Sequence, residues 1–170
     1  AGRRGVLDLC AAPGSKATQL ASALGPGGLL VANEARAGRC GVLRANLLRA
    51  GAANVLLLTL DGREVGQLAP GAFEAVLVDA PCGGEGVVRK DPVGFRRFGQ
   101  LGQADRLRDR VALQRELLRS GWGALRPGGV LVYSTCTLNA HENEEHFRWL
   151  ARRADARPLD AGALLGAPRR

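Results

Sequence analysis

The organisation of this chain follows from one segment, Phe73-Glu-Ala-Val-Leu-Val-Asp-Ala-Pro-Cys-Gly-Gly-Glu-Gly86. Its run over residues 75–78 is wholly apolar, as expected of a strand that is covered on both faces of a sheet. Pro81 has no backbone N–H to donate to a neighbouring strand, so the strand is predicted to end there. Asp79 and Cys82 therefore lie at the carboxyl end of a strand, where open α/β sheets bind their ligands.

The rest of the chain repeats this pattern of an apolar run, a polar stop and an amphipathic helix. The other predicted strands cover residues 5–10, 29–34, 54–60 and 130–137. Helices are predicted over residues 16–24, 35–50, 104–125 and 141–153. Strands that alternate with helices form right-handed β-α-β units. We therefore predict an α/β fold with a doubly wound, mostly parallel sheet of the Rossmann-like type.

The length of 170 residues suits one domain. We assign residues 1–153 to a catalytic domain and residues 154–170 to a weakly structured tail. The chain contains no methionine and opens almost directly on a strand, so we expect it to be a piece of a longer protein. It has no signal-peptide pattern and no apolar run of the roughly 18 residues that a membrane helix needs, so we expect no membrane partner.

The charge is strongly positive, with 24 Lys and Arg against 16 Asp and Glu and a net charge of +8. This balance favours a polyanionic partner such as nucleic acid, although a coding bias toward arginine on solvated helix faces would give the same composition. The four cysteines lie far apart without a C-x-x-C pair, so no metal site is predicted. We expect reduced thiols in a cytoplasmic, monomeric protein.

A cofactor site is predicted above the first three strands. The small residues after the first strand would let a ligand approach the backbone, but they match neither the phosphate-loop motif nor G-x-G-x-x-G. Glu34, at the end of the second strand, could accept hydrogen bonds from ribose hydroxyls. Asp61, at the end of the third, could accept one from an adenine amine. An adenosine pocket without a phosphate cradle fits S-adenosylmethionine (SAM).

Two of the cysteines, Cys82 and Cys136, follow apolar strands at their carboxyl ends. A free cysteine is often a small core residue, and we interpret Cys10 and Cys40 in that way. A thiolate can add to C6 of cytosine and make C5 nucleophilic enough to accept a methyl group from a sulfonium. Asp79 could share a proton with the ring's N3. One thiol would attack and the other assist release, and the spacing leaves open which does which.

Three motifs carry a family resemblance: Asp8-Leu-Cys-Ala-Ala-Pro-Gly-Ser-Lys16, Asp79-Ala-Pro-Cys-Gly-Gly-Glu-Gly86 and Tyr133-Ser-Thr-Cys-Thr137. They resemble the signature motifs of the Sun/Nop family of RNA cytosine-C5 methyltransferases, over about residues 5–150. The run from Gly83 through Val87-Val-Arg-Lys-Asp-Pro92 is similar to the bacterial RsmF branch, which acts on small-subunit ribosomal RNA. The resemblance implies the class I SAM-dependent methyltransferase form of the predicted fold.

The resemblance also implies roles for particular residues. Cys136 would be the nucleophile, Cys82 would help to release the product, and Lys16 would point toward the catalytic centre. DNA cytosine methyltransferases instead carry the nucleophile in a Pro-Cys motif, which here would be Cys82. By the resemblance, the SAM-binding residues are Cys10, Ala11, Ala12, Pro13, Gly14, Ser15, Lys16, Glu34, Asp61 and Asp79.

The segment between residues 83 and 102 is predicted to be a long functional loop that contacts RNA. Its cations Arg89, Lys90, Arg96 and Arg97 could hold phosphates, and Phe95 or Phe98 could stack on an extruded base. An ordinary solvated loop with both rings packed inward fits equally well. On the last predicted helix, we interpret His141 and His146 as surface residues and expect Phe147 to face inward. Two other functions are considered: a class I methyltransferase for another substrate, and an RNA-binding module without catalysis.

Overall fold

The computed structural model describes residues 4–84, 103–160 and 162. The strands are β1 (Arg4–Asp8), β2 (Gly28–Asn33), β3 (Val55–Leu58), β4 (Phe73–Asp79) and β5 (Leu125–Ser134). The helices are α1 (Ser15–Leu24), α2 (Ala37–Arg49), α3 (Val65–Leu68), α4 (Gln103–Ala124) and α5 (Glu144–Ala151), with a 3₁₀ helix at Ala140–Glu142 before α5. Within these ranges no helix combines the length and the apolarity needed to span a bilayer.

The five strands form one parallel sheet in the order β3-β2-β1-β4-β5. From β1 the chain first winds outward to β3 and then returns to the other side of β1 to add β4 and β5. The strand order therefore reverses between β1 and β4, which is the place where doubly wound sheets bind ligands. The structure confirms the predicted α/β, Rossmann-like architecture.

A separate apolar core covers each face of the sheet. On one face, Val6 and Leu30 pack with Ala17 of α1 and Leu43 of α2. On the other face the core includes strand residues such as Val76, together with residues of α3 and α4. Strand side chains point alternately to opposite faces, so apolar runs such as that of β4 supply both cores. The sheet is thus a rigid, two-sided support for the loops at the carboxyl ends of its strands.

The largest differences from the predicted boundaries lie in β5 and α5. The last strand is predicted to begin at residue 130, yet β5 begins at Leu125 and includes Pro127-Gly128-Gly129. A register irregularity opposite residues 73–75 of β4 takes up the extra length. The predicted helix at 141–153 is instead divided at Asn143 into the 3₁₀ helix and α5. This division changes which side of the helix faces the core.

The prediction that His146 lies on the surface is therefore wrong, and so is the inward position of Phe147. His146 is completely buried, whereas the side chain of Phe147 is largely exposed. The His146 ring packs edge-on against Tyr133 of β5, with the ring centres 5.6 Å apart. By contrast, His141 is exposed as predicted and pairs with Glu145 one turn later.

Candidate active site

The two thiols singled out above lie side by side. Asp79, the last residue of β4, pairs with Ser134, the last residue of β5, so the loops after these strands leave the sheet together. The Sγ atoms of Cys82 and Cys136 are 3.0 Å apart, and the backbone N–H of Cys136 donates to the Cys82 sulfur at 3.2 Å. Cys136 is exposed and Cys82 is half-buried. A ligand above the sheet can therefore reach Cys136 more easily.

The chemical states of the thiols bear on which of them can attack. Burial, and next the hydrogen bond with Cys136, raise the pKa of Cys82 to about 11. Cys82 is therefore a neutral thiol at physiological pH, and a neutral thiol is a poor nucleophile. It is nevertheless a weak proton donor placed directly against the second sulfur.

The Asp79 carboxylate, at the carboxyl end of β4, forms an ion pair with the Lys16 ammonium. One of its oxygens accepts a hydrogen bond from the Lys16 ammonium at 2.7 Å, and the other accepts one from the Ser134 hydroxyl at 2.6 Å. Lys16 comes from the first turn of α1, so this ion pair joins the start of α1 to the end of β4. About a third of the Asp79 side chain remains exposed. The pair can therefore contact a molecule bound above the thiols.

The loop between β1 and α1 has a fixed shape. Gly14 has a φ of 109°, and a Cβ at this position would lie 3.1 Å from Leu43 Cδ1 and 3.3 Å from Asn46 Cβ, so only glycine fits without strain. Asn46 donates to the Pro13 carbonyl at 2.6 Å, and Arg39 donates to the Ala12 carbonyl at 2.7 Å. Two side chains of α2 thus hold the backbone of the predicted SAM-binding loop. Cys10 and Ala11 belong to the same loop, and Ser15 begins α1.

The two acids predicted to contact a nucleoside, Glu34 and Asp61, differ in their burial and in their hydrogen bonds. Glu34 is buried, accepts a hydrogen bond from the backbone of Arg36 and pairs with Arg39 at 3.2 Å. Asp61 is half-buried and forms several hydrogen bonds with Arg63, which lower its pKa. Arg63 would have to turn aside before Asp61 could accept a hydrogen bond from a ligand. Glu34 is the better placed of the two.

Asn33 anchors the ends of three strands near these acids. It is completely buried, and its side-chain amide donates to the carbonyls of Leu9 and Leu60, both at 3.1 Å. The side-chain oxygen accepts from the backbone N–H of Leu60, also at 3.1 Å. The sequence motifs do not single out Asn33, although a polar residue at the end of an apolar strand is a signal that can be recognised.

Asp8, at the end of β1, is a second polar residue for which the sequence motifs predict no separate role. It is 1% exposed, and neither carboxylate oxygen has a hydrogen-bonding partner among the described residues. Burial raises its pKa from 3.8 to about 7; the nearby backbone N–H of Cys10 opposes this shift, and the Asp79 carboxylate contributes to it. A buried carboxylate without donors is costly. Its position beside the β1–α1 loop makes it a candidate acceptor for a ligand's donor group.

Replacing Asp8 by asparagine is expected to stabilise the ligand-free protein at pH 8 but not at pH 4. The folded-state pKa is raised, so the folded protein holds this proton more tightly than the unfolded chain, and stability falls as pH rises between 3.8 and about 7. We expect the free energy of unfolding at pH 8 to increase by about 1–3 kcal/mol. Urea unfolding of both proteins at the two pH values measures this. An equal difference at pH 4 and pH 8 would contradict it.

The fold and these residues define a class, the Rossmann-like domains of the class I SAM-dependent methyltransferase type. The loop after β1 has a fixed shape that lets a ligand approach its backbone closely, and an acid follows β2. The side chains that could react lie at or after the carboxyl ends of β4 and β5. Within this class, the chain belongs to the family described as 16S rRNA methyltransferase RsmB/F, whose model matches residues 2–164. The predicted membership of a Sun/Nop-type, RsmF-like family is thereby confirmed.

Individual relatives agree with this assignment. The ribosomal RNA small subunit methyltransferase F of Salmonella heidelberg is 53% identical over 145 residues, which are 85% of this chain and 29% of that protein. The crystal structure of NSun6 from Pyrococcus horikoshii with SFG has a TM-score of 0.73 and 31% identity, covering 87% of this chain and 36% of that one. A methyltransferase homolog from Pyrococcus horikoshii has a TM-score of 0.73 and 34% identity, over 91% and 47% of the two chains. The chain thus spans less than a third of the length of the curated relatives it matches.

Proposed function

We propose that this chain is the catalytic part of a SAM-dependent methyltransferase that modifies C5 of a cytosine in RNA, through a covalent bond between Cys136 and C6. The observation that carries the proposal is the contact between two thiols, 3.0 Å apart, at the ends of neighbouring strands. The neighbouring Asp79, held by Lys16, supplies the acid–base group that this chemistry needs. The names of the relatives support small-subunit ribosomal RNA as the substrate.

The cofactor proposal is supported by the residues around the β1–α1 loop. Gly14 allows close approach to the backbone, Glu34 provides a buried carboxylate, and Asp8 has two acceptor oxygens without partners. These groups suit a ligand with hydroxyl and ammonium donors and no phosphate. When bound, SAM supplies the electrophilic methyl group. A related structure was solved with SFG, an analogue of SAM.

In the proposed reaction, the Cys136 thiolate adds to C6 and forms a carbon–sulfur bond. Negative charge then develops toward N3, where Asp79 shares a proton. C5 becomes nucleophilic and takes the methyl group, and the methyl–sulfur bond of the donor breaks. A base removes the C5 proton, the ring electrons return to expel Cys136, and Cys82 protonates the departing sulfur.

The partner and location predictions belong to the same proposal. The RNA-contacting side chains Arg89, Lys90, Arg96 and Arg97 lie outside the described residues, so their role stays a prediction. The tail at 154–170, the cytoplasmic location and the monomeric state also stay predictions. The net charge of +8 supports an RNA partner.

The test is methyl transfer from isotopically labelled SAM to small-subunit ribosomal RNA, followed by nucleoside analysis. We expect labelled 5-methylcytidine. Label in another nucleoside or in protein would favour a methyltransferase of different specificity. RNA binding that neither SAM nor cysteine substitution alters, without transfer of label, would favour a non-catalytic binding module.

Glu34→Ala is expected to weaken SAM binding at least about tenfold, because one good hydrogen bond from a ribose hydroxyl to a carboxylate contributes about 1.5–3 kcal/mol. Calorimetric titration of the purified chain measures the affinity. Glu74→Ala is the matched control, since Glu74 lies at the opposite end of β4 and pairs only with Arg126 among the described residues. Unchanged affinity in Glu34→Ala would remove this assignment.

A further inference from the structure

A buried polar cluster lies behind the loop that carries Cys82, and the proposed reaction makes no use of it. Its members are Gln114 of α4, Glu142 of the 3₁₀ helix and His146 of α5, and each is completely buried. Uncompensated polar groups in a core are costly, so such a cluster needs a reason to be there. Its hydrogen bonds show what it supports.

The cluster holds the backbone on both sides of Cys82. The side-chain amide of Gln114 donates to the Pro81 carbonyl at 2.8 Å. Glu142 Oε1 accepts a hydrogen bond from the backbone N–H of Gly83 at 3.0 Å. Gln114 also donates to this same Glu142 oxygen at 2.9 Å, so the two side chains close a ring of contacts around residues 81–83.

Further contacts fix the orientation of these two side chains. His146 Nε2 lies 2.7 Å from Gln114 Oε1, which directs the Gln114 amide nitrogen toward its two acceptors. Burial lowers the pKa of His146 to about 4, so the ring is neutral and its Nε2–H donates. Arg110 Nε lies 3.2 Å from Glu142 Oε1 and balances its charge. The Tyr133 hydroxyl donates to the Glu142 carbonyl at 2.8 Å.

Cys82 needs such support because it follows β4 in a loop without regular secondary structure. A reacting group on a loop is precise only when neighbouring side chains lock the backbone. Here the carbonyl before Cys82 and the N–H after it are both held by buried partners. The position of the sulfur is therefore determined by α4 and the 3₁₀ helix as well as by β4.

We propose that Gln114 and Glu142 are positioning residues that clamp the backbone around Cys82 and hold its thiol against Cys136. The structural part of this inference is independent of any substrate. Its catalytic consequence rests on the proposed function: if Cys82 protonates the departing sulfur, loosening the clamp slows release of the methylated base more than it slows attack. The covalent RNA adduct would then accumulate.

The first test measures the proximity of the thiols without RNA. Diamide oxidises two adjacent thiols to a disulfide by accepting two electrons and two protons, and peptide mapping measures the rate for Cys82–Cys136. We expect Gln114→Leu and Glu142→Ala to slow this rate at least tenfold, and Glu142→Gln to retain most of it. Leu118→Ala is the matched control, because Leu118 is a buried residue one turn further along α4. If Glu142→Ala does not fold, the oxidation rate of Gln114→Leu alone tests the proposal.

Equal oxidation rates in the wild type, Gln114→Leu and Leu118→Ala would overturn the clamp, as would a wild type whose two thiols do not pair. The second test adds SAM and substrate RNA. We expect Gln114→Leu to accumulate adduct while its turnover falls about tenfold, a result that simple destabilisation would not give. Release at the wild-type rate would overturn the catalytic part. If the wild type neither methylates the RNA nor forms an adduct, the proposed function fails, while the oxidation rates still test the clamp.

Discussion

Cys136→Ala is expected to abolish both methyl transfer and the covalent RNA adduct, with a loss of turnover of at least about 1,000-fold. The reason is chemical: without addition at C6, C5 of cytosine is too weak a nucleophile to accept the methyl group. Cys136 is the more exposed thiol, and its neighbour Cys82 keeps its proton at physiological pH. Single-turnover methyl transfer and denaturing gel analysis of the RNA–protein adduct measure the two effects.

The variant Cys82→Ala, compared with Cys136→Ala, separates the roles of the two thiols. It should still form the adduct but release it slowly, so that adduct accumulates while turnover falls. Cys40→Ser serves as the control, because Cys40 lies on α2 and its thiol is 3.4 Å from the Thr59 hydroxyl rather than near the other two sulfurs. The reverse pattern, with adduct in Cys136→Ala and none in Cys82→Ala, would exchange the roles of the two thiols.

Asp79→Asn is expected to lower turnover about 100–1,000-fold, because a carboxyl group that shares a proton at N3 is lost. The asparagine keeps the shape and can still accept from Ser134, so the fold should be little affected. Adduct formation rather than adduct release should slow, and this separates Asp79 from Cys82. Rapid-quench measurement of adduct formation tests the prediction.

The control for this variant is Asp105→Asn. Asp105 is exposed on α4 and pairs with Arg108 within the same helix, so its charge should not matter for the reaction. A turnover in Asp79→Asn within about threefold of the wild type would contradict the role given to Asp79. A defect confined to SAM affinity would place Asp79 with the cofactor instead of the base.

The sequence was sufficient to predict the strands of the sheet and the edge of the sheet at which the reacting side chains lie. Apolar runs such as residues 75–78 are read directly as covered strands, and parallel strands bring their carboxyl ends to one edge. Asp79, Cys82 and Cys136 were therefore expected at one edge of the sheet, and the pairing of β4 with β5 brings them together. The family motifs then assigned each residue an expected role.

The parts that could not be predicted depend on contacts between distant segments. His146 has the spacing of a surface residue on a continuous helix, but the 3₁₀ helix before α5 turns it inward, where Gln114, 32 residues earlier, accepts its hydrogen bond. Asp61 was expected to accept from a ligand, yet Arg63 lies close enough to hold it. The Pro127-Gly-Gly129 segment reads as a turn and becomes part of β5, because pairing with β4 accommodates the irregularity.

The proposed mechanism requires that a sulfur–carbon bond between Cys136 and the pyrimidine form before methyl transfer. RNA transcribed with 5-fluorocytidine in place of cytidine traps this bond, since fluorine at C5 cannot be removed as a proton. The decisive measurement is mass spectrometry of peptides from the wild-type chain after reaction with this RNA and SAM. We expect a methylated fluoropyrimidine on the peptide that contains Cys136. A fluoropyrimidine on the Cys82 peptide, or methylation of ordinary cytosine with no trapped adduct, would contradict it.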